Sequence, residues 1–123
     1  MEEDGYNMAI SGSRSFNASM QANKLIEKMK NDPEINFEKD WKMVTIVIGP
    51  NDLCAEVCRK PNFEEEAEFS ANNVAESLYV LYNGLPRTFV NLMLMIGKFL
   101  LDLGITFVKC KMVSLRVSFI TCF

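Results

Sequence analysis

Trp41-Lys42-Met43-Val44-Thr45-Ile46-Val47-Ile48 runs directly into Gly49-Pro50-Asn51-Asp52. The second half of the first stretch is a continuous β-branched run, the pattern of a strand covered on both faces. Gly-Pro-Asn-Asp breaks it at once, because proline fixes φ and asparagine tolerates left-handed backbone. Downstream, Ala67, Ala71, Val74, Leu78 and Leu81 recur at helical spacing across residues 64–83. Glu64, Glu65 and Glu66 favour the start of that helix, and Gly84 followed by Pro86 is expected to end it. Residues 88–95 read as a further apolar strand. Upstream, Ala22, Leu25, Ile26 and Met29 predict a helix over residues 19–30, stopped by Asn31-Asp32-Pro33. Residues 6–10 read as the end of a strand that enters the loop Ser11-Gly12-Ser13. The order is strand, helix, strand, helix, strand, and helical crossovers between strands favour a parallel α/β sheet.

The rest of the chain differs. From Phe89 to Val108 it is almost wholly apolar, interrupted by Asn91, Lys98 and Asp102. That length could span a membrane, with the two charges four residues apart and able to pair on one helical face, though a buried strand explains Val90-Asn91-Leu92-Met93 better. Leu115, Val117 and Phe119 alternate with Ser114, Arg116 and Ser118, the pattern of a half-buried strand or an exposed adhesive tail. The expected division is therefore a folded part over residues 1–95 and a divergent apolar tail over residues 96–123.

Composition narrows the function. The chain has 123 residues, 49% of them apolar and 24% charged, which is globular rather than disordered. A net charge of −3 gives no electrostatic case for nucleic acid. The acidic start Met1-Glu2-Glu3-Asp4-Gly5 is not a secretory signal, so the chain is either cytosolic or begins within a longer precursor. Cys54, Cys58, Cys110 and Cys122 are too few and too uneven for a disulfide scaffold. A local Cys54–Cys58 disulfide suits an extracellular parent, and free thiols suit any other. A zinc site would need further ligands, and the chain contains no histidine to supply them.

Ligands of open α/β sheets bind outside the carboxyl ends of strands. Asn51 falls there and carries a neutral NH₂ donor able to stabilise a developing oxyanion. Gly12, after the upstream strand, lets a backbone N–H approach a substrate closely. Ser11, Ser13, Ser15 and Ser19 have no histidine base and sit in no nucleophile motif, so they read as surface or loop serines.

Asn7-Met8-Ala9-Ile10-Ser11-Gly12-Ser13, the block from Asp40 to Cys54, and Leu85-Pro86-Arg87-Thr88-Phe89-Val90-Asn91-Leu92 together resemble the phospholipase B branch of the GDSL, or SGNH, hydrolases. The resemblance runs from Asn7 to about Met93. It implies a three-layer α/β/α, flavodoxin-like fold, here truncated at both ends. It also implies hydrolysis of acyl esters and phospholipids through an acyl-serine, with no cofactor or metal. Gly12 would then be a backbone oxyanion donor and Asn51 a side-chain donor, with Asp52 bracing the loop. The parent protein would sit at the plasma membrane or outside the cell. The Gly-Asp-Ser block that bears the nucleophile is expected ahead of Asn7, and the Asp-x-x-His block well downstream; these 123 residues hold neither. The expectation is thus an internal fragment that is catalytically incompetent alone, with poor solubility or partial folding where a strand is missing from the sheet. The alternatives are a non-catalytic membrane-associated or interaction protein, and a complementing half that receives its serine from another chain.

Overall fold

The computed structural model describes residues 5–52 and 63–93. A 3-10 turn, Ser15–Asn17, leads into helix α1, Ala18–Lys30. Strand β1, Lys42–Val47, follows, then helix α2, Phe63–Gly84, and strand β2, Thr88–Met93. Cys54, Cys58, Cys110, Cys122, most of the apolar run from Phe89 to Val108, and the whole of residues 96–123 lie outside the described residues.

The two strands pair in parallel, with Lys42 opposite Thr88, Val44 opposite Val90 and Val47 opposite Met93. Parallel neighbours need a crossover, and α2 supplies it. Side chains of a strand alternate between faces. Val44, Ile46 and Val90 pack on one side against Ala22, Leu25, Ile26 and Met29 of α1, Leu81 of α2, and Leu85. Both helices therefore cover the same face of the sheet. Met43, Thr45, Phe89, Asn91 and Met93 point to the opposite face and are exposed. The α/β class and parallel pairing match the sequence reading, and the described residues supply two layers.

Two local expectations are corrected. Residues 7–10 are irregular, not a strand: the only described strand pairing is β1 with β2, and an extended run without a pairing partner does not form a ladder. This segment is instead pinned to the end of α1. The Tyr6 hydroxyl donates to Asp32, and Lys28 Nζ donates to the Gly5 carbonyl. The hydrogen bond to Asp32 pushes the Tyr6 phenol up to about 12 and holds the Asp32 carboxyl below its usual range. Between this segment, α1 and β1 lies a cavity of about 340 Å³, lined by Met8, Ala22, Leu25, Val44, Ile46 and Leu81 among others.

As expected, α2 ends at Gly84, and a Cβ there would lie 2.6 Å from Ile26 Cδ1, so the glycine also permits close approach to α1. The left-handed residue of this corner is Arg87, with φ 51. Its guanidinium donates to the Lys39 carbonyl at 3.1 Å and sits over the Trp41 ring. The buried face of α2 also differs from the expected stripe. Ala67 and Ala71 are exposed, whereas Ser77 and Leu81 are buried and Leu85 continues their spacing of four. Ser77 fits there because its hydroxyl is returned to the Val74 carbonyl at 2.7 Å.

Candidate active site

The C-terminal end of β1 turns through Gly49, whose φ of 115 is accessible to glycine without strain. Pro50 is buried and opens a helical turn that includes Asn51 and Asp52. The second loop is the turn at Ile10 to Ser13, closed by the Ser13 N–H donating to the Ile10 carbonyl at 3.1 Å. Gly12 occupies it with φ 79, and a Cβ there would meet nothing within 4 Å. The need for glycine at this position is therefore conformational rather than steric.

A polar network joins the two loops. Asn51 Nδ2 donates to the Ser13 carbonyl at 2.8 Å, which lays the asparagine side chain against the turn that holds Gly12. Gln21 Nε2 of α1 donates to Ser13 Oγ at 2.8 Å. Asp52 receives two bonds from one residue: the Ser15 N–H donates to Oδ2 at 2.8 Å, and Ser15 Oγ donates to Oδ1 at 2.6 Å. Asn73 Nδ2, from the middle of α2, donates to Ser15 Oγ at 3.1 Å. The Arg14 N–H donates to Asn17 Oδ1 at 3.1 Å and holds the 3-10 turn in place. Among the described residues no buried side-chain polar atom lacks a partner.

The structure thus brings Asn51, Asp52 and the Gly12 turn to one end of the sheet. Ser15 departs from its reading as a surface or loop serine: it is 0% exposed, with its hydroxyl hydrogen directed at a carboxylate. Asn73 was missed by the sequence reading. The signal for it was present in the polar pair Asn73 and Ser77 falling four apart in line with Leu81. Among the described residues no group of three or more His, Cys, Asp or Glu side chains could hold a metal ion. Among the same residues no helix is long and apolar enough to cross a membrane.

The α/β unit thus lays an asparagine side chain against a glycine turn at the carboxyl end of β1, the end where open α/β sheets bind ligands. Residues 1–115 match the GDSL-like lipase/acylhydrolase family, and the chain belongs to it. It is 45% identical over 87 residues to the human membrane-associated phospholipase B1, which is 71% of this chain and 6% of that protein. The rat protein of the same name is 41% identical over 86 residues, covering 70% of this chain and 6% of its own length. The mouse protein is 40% identical over 87 residues, again 71% of this chain and 6% of its own length. The chain therefore spans about 6% of the length of the curated relatives it matches. No solved structure matches it.

Proposed function

We propose that this chain carries the oxyanion-binding side of a phospholipase B-like ester hydrolase site. The Gly12 N–H and the Asn51 NH₂ are the donors, and Asp52 braces the loop between them. The substrates are acyl esters and phospholipids, hydrolysed at a membrane, as the name of the relatives suggests, or outside the cell. The observation that carries this reading is the 2.8 Å bond from Asn51 Nδ2 to the Ser13 carbonyl, which joins both donor loops. We further propose that the unit is completed by a third layer on the exposed face of the sheet, that residues 1–95 form the hydrolase part, and that residues 96–123 form a separate tail.

Hydrolysis also needs an activated nucleophile and a proton acceptor. The chain has no histidine, and Ser15 has its proton committed to Asp52. An oxyanion hole without an attacking group gives little rate. The 123 residues alone are therefore expected to take no fluorophosphonate adduct by intact mass, beside a fully labelled phospholipase B control. A stoichiometric adduct would overturn that expectation.

The donors are tested by transplantation. Residues 7–93 replace the aligned segment of a phospholipase B1 hydrolase domain. The chimera is expected to hydrolyse short acyl esters. Asn51→Ala in that setting is expected to lower kcat by a factor of about 10²–10³, or about 3 kcal/mol of transition-state stabilisation, with little change in KM. Unchanged kcat in a folded Asn51→Ala chimera would remove Asn51 from the site.

A further inference from the structure

We propose that Ser15 and Asn73 are positioning residues for Asn51, acting through the carboxylate of Asp52. The proposal rests on the reading of Asn51 as an oxyanion donor, and it extends that reading to two residues far from it in sequence.

The bonds form a directed chain. A hydroxyl donates one hydrogen and accepts on its lone pairs. Ser15 Oγ gives its hydrogen to Asp52 Oδ1 at 2.6 Å and accepts from Asn73 Nδ2 at 3.1 Å. The Ser15 N–H holds the other carboxylate oxygen at 2.8 Å. Both oxygens of Asp52 are thus fixed by one fully buried residue, which sets the carboxylate plane and the χ angles behind it. Asp52 follows Asn51 in the same helical turn, so fixing Asp52 also fixes the backbone from which the Asn51 amide projects.

The opposite end of the network points the same way. Asn51 reaches the Ser13 carbonyl, two residues before Ser15 on the same loop. The two contacts, Asn51 to Ser13 and Asp52 to Ser15, form paired rungs between the loops. Two rungs fix an orientation where one leaves a hinge. Asn73 ties that pair to α2, which packs on α1 through the core.

Stability alone does not account for such a cluster. A buried polar network is expensive unless every member is satisfied, and apolar side chains of similar shape often serve stability equally well. What apolar packing cannot supply is a direction for a neighbouring amide. Ser15 itself is excluded as a nucleophile by its burial and by its committed proton.

The test uses the ¹H–¹⁵N spectrum of the whole 123-residue chain. The Asn51 side-chain NH₂ signals are identified by their loss in Asn51→Asp. In Ser15→Ala those signals are expected to shift, and their exchange with solvent to become about tenfold faster, as loss of one orienting hydrogen bond requires. Asn73→Ala is the gentler variant, since alanine favours a helix interior, and it is expected to change the Asn51 signals in the same direction. Asn72→Ala, at an exposed neighbouring position, should change nothing. The methyl signals of Leu81 and Ile26 report the core. Asn51 signals that move while those methyls stay fixed support positioning. Asn51 signals that remain at wild type in both variants, or move only together with the core methyls, overturn it. The measurement requires no hydrolysis. An Asn51→Ala chimera with unchanged kcat would remove the oxyanion reading and leave this orientation result standing.

Discussion

Lys42→Met is expected to destabilise the fold by about 4 kcal/mol, a large share of the roughly 5–15 kcal/mol that holds a domain of this size. Lys42 is the first residue of β1 and is only 7% exposed. Its Nζ donates to three carbonyls: Phe37, Asp40 at 2.9 Å and Pro86 at 2.9 Å. It also lies 5.1 Å from the centre of the Phe37 ring. An ammonium has three hydrogens, and here each has an acceptor. Pro86 belongs to the turn before β2, whereas Phe37 and Asp40 belong to the loop before β1. One side chain therefore closes the N-terminal end of the sheet, and the Lys42 N–H donating to the Arg87 carbonyl at 2.9 Å continues the join.

Methionine fills nearly the same volume but donates nothing. Each hydrogen bond to a charged group contributes roughly 1.5–3 kcal/mol. Relief from holding a buried ammonium offsets part of the loss, which brings the expected figure down from the simple sum. Arginine should not rescue fully, because its planar fork cannot point at three carbonyls arranged around a single nitrogen. Lys39→Met, at an exposed side chain in the same loop, is expected to stay within about 0.5 kcal/mol of wild type. Urea titration followed by circular dichroism checks both. Equal midpoints for the two variants would mean that the Lys42 contacts do not hold the corner together.

The elements most readable in the sequence were those with a one-dimensional cause. β1 was visible from its β-branched run, α1 from Ala22, Leu25, Ile26 and Met29, and the site turn from Gly49 and Pro50. Each depends on local backbone preference or on a single periodicity. What escaped depends on a partner distant in the chain. Residues 6–10 have strand composition, but composition does not provide a neighbouring strand. Gly84 ends α2 as its sequence suggests, but only the position of Ile26 on another helix reveals it as a contact point as well. Lys42 stands at the charged start of its strand, where nothing local shows that it is buried; its burial follows from Pro86, which lies 44 residues away. The site divides in the same way. Gly12 and Asn51 could be named from their loops and Asp52 from the family resemblance, but the contacts of Ser15 and Asn73 depend on α2 lying beside the 3-10 turn.

Leu81→Ala is expected to cost about 4 kcal/mol, while Tyr82→Ala beside it should cost less than about 0.5 kcal/mol. Leu81 is 1% exposed and touches the cluster formed by Ala22, Leu25, Ile26, Met29 and Leu85. Tyr82 is 86% exposed on the same helical turn. Truncating a buried leucine removes its transfer free energy and leaves a void whose size depends on how far the surroundings can relax. Relaxation is limited here. α1 and α2 are already in close approach at Gly84, where Ile26 leaves no room for a Cβ, so the helices cannot move together to fill the gap. On its other side Leu81 lines the existing cavity beside Val44 and Ile46, so the new void adds to empty space instead of closing on packed atoms. Both conditions place the substitution in the upper part of the usual range. Leu81→Met, which conserves volume, is expected to recover most of the loss. A denaturant series that gave Leu81→Ala and Tyr82→Ala the same midpoint would mean that α2 does not pack on α1 through Leu81, and the shared-face arrangement of the two helices would fail with it.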